Sequence, residues 1–567
     1  MQDIKTQEQK TKLQKNRVPV DKIEKKTIVE KKQPMKKVQK EASTGDAQKE
    51  AIIKKERRAC THLNRLVKVA AFLLIFVLTF SKLSEVLAFK NASYEANNYY
   101  SFDYLYDLPK DSLDVVYVGT SQYHMGITPL EIWKEYGITG GSFNVAQCRA
   151  WMAYYMIQEV LKYQNPKVIV LDAAVPRGGD NNIIASRRAI NQFRFSLTKF
   201  QALYDCLELE GSTIDEMINK SFEFFSYHDT WDSLEKADFT DDISSLAYQK
   251  GYLLTTKCMP YSDMAHSVDQ KPTRFMLDEK TVDYMGRIKA LCDEKGVDLI
   301  IAKLPSDMWN ITYSGMVGRW AKANEVEFLD LTQKQFQRQM HFDNETCYFD
   351  ENHLNHVGAE IVSNYLGNYL TEHYQFESHS QEIEDAWKTD YEAYEAYRDF
   401  RILQSTQDLS EFIELANNPN YIICLSIRDD ATKGLADSEC ESLQSLGLNM
   451  RFVDRFRTSL AAVIDGGSVV VQKDGNFALS CEYEPYTNCE IQVTSAGYSA
   501  GNKSSIVING KEYSKNKRGL NIVVYDKTKD EVISSRIFDT WLMQERYSII
   551  RKKTVWKQQR KKESYVQ

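Results

Sequence analysis

The first sixty residues lack any aromatic side chain, and they carry 18 lysines and arginines against 9 acidic residues. Clusters such as "EKKTIVEKKQPMKKVQK" offer too little apolar surface to offset the entropy of ordering a chain. This excludes an independently folded N-terminal domain and predicts a disordered basic tail over 1–62. The tail's surplus of nine positive charges is hidden in the net charge of −7 and leaves the remainder of the chain at −16. We expect no nucleic-acid partner.

Long apolar runs are also scarce. The run Val69–Phe80 is free of charge but covers only 12 residues, short of the roughly 20 usually needed to span a bilayer. Arg65, Lys68 and Lys82 sit at its margins, where long cationic side chains reach back to the headgroups and extend the usable span. A transmembrane anchor is therefore expected within 63–89, with the lipid bilayer as a partner. Positive charge on its N-terminal side predicts a cytoplasmic N-terminus, an extracellular C-terminal bulk and a cell-membrane location. A cleaved signal peptide fits poorly behind sixty preceding residues, and a buried core helix is the competing reading.

The ten cysteines show neither the close spacing of a zinc knuckle nor that of a redox pair. Cys481 and Cys489 are spaced for a hairpin disulfide that an exported location would permit, but the sequence leaves their pairing open. No second group of histidines and aspartates has ligand spacing, so neither a metal nor another cofactor is expected.

What is present is an alternation of strand and helix. "LDVVYVGTS" (113–121), "PKVIVLDAA" (166–174), "VDLIIAKLP" (297–305) and "VEFLDLT" (326–332) read as buried strands. "AWMAYYMIQEVLKY" (150–163), "TVDYMGRIKALCDEKG" (281–296) and "GAEIVSNYLGNYLTEHY" (358–374) read as helices. Continuous apolar strands between helical periods predict an α/β fold, a doubly wound parallel sheet in three layers, over 100–375. The stretch 180–275 breaks the rhythm and is expected to be a helical insertion, serving as a lid or substrate wall. The acidic segment 376–399 reads as a linker or connecting helix. Beyond it, short β-rich runs punctuated by turns such as "NG" and "KDG" predict a second, β-sandwich domain over 400–550, followed by a basic end at 551–567.

In such a sheet, functional groups gather where strands end at their carboxyl edge. Ser121 stands there, closing "VVYVGTS", and "YFDENHLNHVGAE" (348–360) places Asp350 and His353 three residues apart ahead of the last helix. Serine, histidine and aspartate can act as nucleophile, general base and orienting anion. The structural alternatives are equally specific. Ser121 or Asp350 would cap the helix that follows it, and His353 would be a hydrogen-bonded structural residue. Asn355 and His356 read as local hydrogen-bonding residues, and His124 as a residue that lines the pocket at most.

On the turn "GTS" (119–121) and the later "DENHLN" (350–355), the chain from about 100 to 375 resembles the SGNH/GDSL-type hydrolases, in their membrane-anchored bacterial branch. The block "SFNVAQ" (142–147) is similar to a segment near the oxyanion site of that branch. The resemblance implies Ser121 as nucleophile, His353 as base and Asp350 as its partner, with the Ser121 N–H and the Asn144 side chain meeting the oxyanion. The wider family's G-x-N-D block is missing, and "LDAAVPRGG" (171–179) stands in its place.

A second resemblance lies in "SAGYSAGNKSSIVINGKEYSKNKRGLNIVVYDKTKDEVISSRIFDT" (495–540), which is similar to the secreted interleukin-like inducer (ILEI/PANDER) domain. The half that usually follows resembles 402–464 and here comes first, as in a circular permutation. Relatives of that domain resemble carbohydrate-binding modules. Together the resemblances imply an exported, membrane-anchored esterase or O-acyltransferase. Its substrate would be acyl (acetyl) groups of a cell-surface glycan or teichoic-acid-like polymer, with a membrane-bound O-acyltransferase as a partner. The alternative is a catalytically inactive glycan-binding or scaffold protein on the same fold.

Overall fold

The computed structural model describes residues 63–80, 102–177, 183–213, 247–263 and 276–541, with a few isolated positions besides. The expected tails at 1–62 and 551–567, and much of the 180–275 insertion, lie outside the described residues. Helix α1 (Leu63–Phe80) is long and apolar enough to cross a membrane, and none of it is buried. Phe72, Phe76 and Phe80 recur every fourth residue and stack along one side of it.

The next elements, in chain order, are β1 (Val115–Gly119), α2 (Ser121–Gly126), α3 (Pro129–Tyr136), β2 (Gly140–Asn144), α4 (Ala150–Val160) and β3 (Val168–Asp172). After them come α5 (Ile183–Gln192), α6 (Leu197–Glu210), α7 (Glu279–Lys295), β4 (Asp298–Lys303), α8 (Ile311–Ala323), β5 (Glu327–Asp330), α9 (Lys334–Gln339) and α10 (His356–His373). The five strands form one sheet in the order β2-β1-β3-β4-β5, and every pairing is parallel.

Residues of β1 alternate between two cores. Val116 and Val118 join Ile169, Leu171 and Ile301 under Met152 and Met156 of α4 and Met285 and Ile288 of α7. Val115 and Tyr117 face the other way, with Val170 and Ile300 against Ile132 of α3 and Val362, Leu366 and Leu370 of α10. The two-residue period of a strand thus supplies both faces, and β1, β2 and β3 are buried throughout. The result is the three-layer α/β arrangement. Because β1 and β3 lie side by side while their crossovers run to opposite faces, their carboxyl ends open a crevice between them.

The chain then forms α11 (Gln381–Ser405) and α12 (Leu409–Ala416), followed by β6 (Tyr421–Asp429), α13 (Asp437–Ser445), β7 (Ser459–Asp465) and β8 (Ser468–Gly475). The remaining strands are β9 (Leu479–Tyr486), β10 (Cys489–Gly497), β11 (Lys503–Ile508), β12 (Lys511–Glu512), β13 (Gly519–Asp526) and β14 (Glu531–Phe538). All nine belong to one sheet with the path β12-β11-β10-β6-β13-β14, β7 pairing with β6 and β8, and β9 with β10. One core sits under α12 and α13, where Phe412 and Leu443 cover Leu425, Ile522 and Phe538. A second gathers Cys424, Val463 and Val523 from the middle of the sheet with Cys481, Ile491, Val493 and Ile506 from its other arm. A single β-rich sheet therefore folds over to enclose its own apolar face.

The β9–β10 register places Cys481 opposite Val493 and Cys489 opposite Tyr486. The two thiols are not cross-strand partners, and all nine described cysteines are free.

Candidate active site

β1 ends in Gly119, where a Cβ would come within 2.7 Å of the Asp172 Cβ and 2.8 Å of the Tyr123 ring. Only glycine lets the strands close up at this point. Thr120 then takes the N-cap of α2, and its hydroxyl accepts the Gln122 N–H at 3.2 Å. Because Thr120 does the capping, the Ser121 hydroxyl is left for other work. Asp172, at the end of β3, secures this turn. Its Oδ2 accepts the Thr120 hydroxyl at 2.6 Å and the Thr120 N–H at 3.2 Å, while Oδ1 accepts Ala174 N–H at 2.9 Å.

Ser121 Oγ lies 2.8 Å from His353 Nε2. On the far side of the ring, His353 Nδ1 is 2.9 Å and 3.0 Å from the two oxygens of Asp350. An ionised carboxylate only accepts, so Nδ1 carries the proton and Nε2 is free to accept from the serine. The loop that presents the pair is closed by a bridge between Tyr348 and Leu354. Asp350 Oδ1 also accepts the backbone N–H groups of Asn352 (2.8 Å) and His353 (2.9 Å). Burial by itself would raise the Asp350 carboxyl. The imidazole and the two backbone donors outweigh it and hold its pKa below the ordinary 3.8. Capping of α10 falls to Asn355, which accepts from Val357 and Gly358, so Asp350 is not the cap. The side chains of His353 and Asp350 remain 19% and 29% exposed, enough for a substrate to reach them.

As the first residue of α2, Ser121 has a backbone N–H with no acceptor inside the helix. It stands beside its own hydroxyl, where charge develops on an attacked carbonyl. Asn144 ends β2 in register with Gly119 but is buried, and its Nδ2 donates to Ser142 Oγ at 2.7 Å. One of its two amide N–H donors is thus turned back along β2. His124 is likewise buried, with Nδ1 2.9 Å from the Gly251 carbonyl. Residues 247–263 run along this edge, since Ser142 N–H donates to Lys250 O, Leu253 N–H to His124 O, His356 N–H to Thr255 O and Met259 N–H to Tyr348 O.

Asp172, Gln122, Asn352 and Lys303 belong to the site but are not among the residues that sequence reasoning finds. Asp172 and Lys303 leave a signal: each is a charged residue closing a buried apolar run, "VIVLD" and "DLIIAK". Among the described residues, no group of three or more His, Cys, Asp or Glu side chains is arranged to hold a metal ion.

No family model and no curated protein matches this chain. Among solved structures, it is similar to a candidate acylhydrolase from Bacteroides fragilis NCTC 9343, at 11% identity and a TM-score of 0.24 over 50% of this chain and 99% of that one. A GDSL-like lipase from Bacteroides thetaiotaomicron VPI-5482 aligns at 10% identity and a TM-score of 0.23, over 48% of this chain and 95% of that one.

Proposed function

We propose that this protein is a serine esterase or O-acyltransferase that acts on acyl groups of a cell-surface glycan and is held at the membrane by α1. The observation that carries the reading is the continuous hydrogen-bonded chain from Ser121 Oγ through His353 to Asp350. In this mechanism His353 Nε2 takes the hydroxyl proton as Ser121 Oγ attacks the ester carbonyl. Asp350 stabilises the imidazolium that forms. The oxyanion meets the Ser121 N–H, a donor of the kind worth about 3 kcal/mol in the transition state. His353 then returns the proton to the leaving alkoxide. The acyl-enzyme is released by water in hydrolysis, or by a sugar hydroxyl in transfer.

Three features support the finer parts of the reading. The basic residues ahead of α1 favour a cytoplasmic N-terminus and an exported remainder. A cleft of about 640 Å³ between α4, α6 and α7 is lined by Tyr154, Tyr155, Tyr204 and Tyr284, with Asp205 and Arg287. The Tyr155 and Tyr284 hydroxyls donate to Asp205, and Arg287 pairs with Asp283 and lies over the Tyr284 ring, so what the cleft offers a sugar ring is aromatic surface. The likeness of the C-terminal region to ILEI/PANDER domains favours a glycan-binding role for it, and a membrane-bound O-acyltransferase is the fitting source of acyl groups if the enzyme transfers them.

The test is covalent. A fluorophosphonate probe should label the full chain, and Ser121→Ala should abolish both labelling and p-nitrophenyl acetate cleavage. An intact protein that neither labels nor cleaves would leave a non-enzymatic glycan-binding scaffold as the better reading.

A further inference from the structure

We propose that Lys303 is a positioning residue for the Ser121–His353 pair: its ammonium fixes the orientation of the Gln122 amide, and that amide ties the nucleophile helix to the loop bearing the general base. The proposal rests on the esterase reading and concerns residues that the mechanism above leaves unused.

Lys303 closes β4 and is fully buried. A charge taken out of water is costly unless something offsets its desolvation. Yet among the described residues no carboxylate forms an ion pair with it. Its ammonium donates to Gln122 Oε1 and lies 5.2 Å from the centre of the Trp309 ring. The charged groups facing it are Asp172 from β3 and Asp330 from β5, which favour its protonated form, and Arg177 beyond β3, which opposes it. Burial dominates and brings its pKa down to about 8.

An ammonium offers only donors, so the Gln122 amide must turn its oxygen toward Lys303. Its nitrogen then faces the other way, toward Asn352 Oδ1, with Ser306 Oγ at 3.4 Å. Ser306 Oγ donates to the same Asn352 oxygen at 3.1 Å, and the Asn352 N–H donates to Asp350 Oδ1 at 2.8 Å. Gln122 comes directly after the nucleophile and Asn352 directly before His353, so one amide joins the two halves of the site. A neutral, non-donating residue at 303 would let the amide flip and set its oxygen against the Asn352 oxygen. The two acceptors would repel, and the Ser121–His353 contact would lose its support.

Two substitutions read this out. Lys303→Met keeps the length of the side chain and removes the donor. Gln122→Glu keeps an acceptor for Lys303, and adds an ion pair, but an ionised carboxylate has no proton for Asn352. Both are expected to lower kcat for p-nitrophenyl acetate by about ten- to a hundredfold, with KM within about twofold and the thermal midpoint retained. A lysine with only a structural role predicts the opposite for Gln122→Glu, since the added ion pair would leave kcat intact. Wild-type kcat in a folded Gln122→Glu protein overturns the proposal even if Lys303→Met fails to fold. If the wild type proves inert toward ester and fluorophosphonate, the esterase reading falls separately. The relay is then decided by the His353 Nδ1 proton resonance, which Gln122→Glu must shift or broaden; an unchanged resonance sinks it.

Discussion

Asp350 presents both carboxylate oxygens to one imidazole nitrogen, and this dictates what a change there must do. Asparagine would keep the size but set an amide against Nδ1, and an amide that donates there favours the tautomer with its proton on Nε2. Asp350→Asn should therefore cut kcat by about 10³–10⁴ and slow fluorophosphonate labelling in parallel, with a lower thermal midpoint at neutral pH, where the carboxylate's contribution is lost. The acid limb of stability should change too. Because the folded-state pKa of Asp350 lies below 3.8, the carboxylate adds stability above that pH and loses it as pH falls through the folded value. The variant should flatten that limb in acid-titrated unfolding experiments. Ser121, Asp350 and His353 are legible in the sequence because each stands at a strand end or in a short local pattern. Asp172, Gln122 and Lys303 are not, because their roles depend on β3 and β4 lying beyond β1 in the sheet, and strand order is a long-range property. Asn144 stands in register with Gly119 beside the nucleophile turn, and one of its two amide N–H groups donates to Ser142 two residues back.

At the scale of single elements, legibility tracks periodicity and burial. The strands "VVYVG", "VIVLD" and "DLIIAK" have continuous apolar centres and are readable, whereas β2, with the sequence "GGSFN", carries no such signal. Its glycines and serine have little β-propensity, and as the edge strand it is held by β1 alone within the sheet. Helix α13 carries a different cost. Glu439 is buried at 1% exposure, its Oε2 accepts the Ala436 N–H at 2.9 Å, and its Oε1 has no partner among the described residues. Burial raises its pKa from 4.5 to about 7, the Ala436 bond opposing and Asp408 adding to the rise. The folded protein thus holds this proton more tightly than the unfolded chain, and stability falls as pH climbs from about 4.5 to 7. Glu439→Gln should remove that slope. The variant should match the wild type below about pH 4.5 and exceed it by roughly 1–2 kcal/mol at neutral pH, after allowance for screening. Urea unfolding at both pH values checks this, and an equal difference at the two would dismiss the buried charge as its cause.

For the molecule as a whole, the acidic stretch after 375 matters more than its composition suggests. Charged and polar residues dominate it and give it the look of a linker or connecting helix, yet Trp387 and Tyr394 stand seven residues apart and share one side of α11. Both enter the core of the parallel-sheet domain, and Leu403 enters the core beneath α12 and α13. Trp387 packs with its ring centre 6.1 Å from that of Trp133, under the Lys250 ammonium. Arg398 pairs with Glu131 of α3 at 2.8 Å. At the other end, Arg536 of β14 donates to the carbonyls of Gln404, Ser405 and Thr406, partners that the last turn of a helix otherwise lacks. One helix is therefore built into both cores, and the described residues between 102 and 541 form one compact unit. The wild type should accordingly unfold in a single calorimetric transition that includes the C-terminal sheet. Trp387→Ala removes a large side chain that is 2% exposed and should cost about 3–5 kcal/mol. That loss should lower the midpoint for both domains together, as seen by calorimetry and by near-ultraviolet circular dichroism. A C-terminal transition that stays put while the rest of the chain melts earlier would show that α11 connects the domains without coupling them.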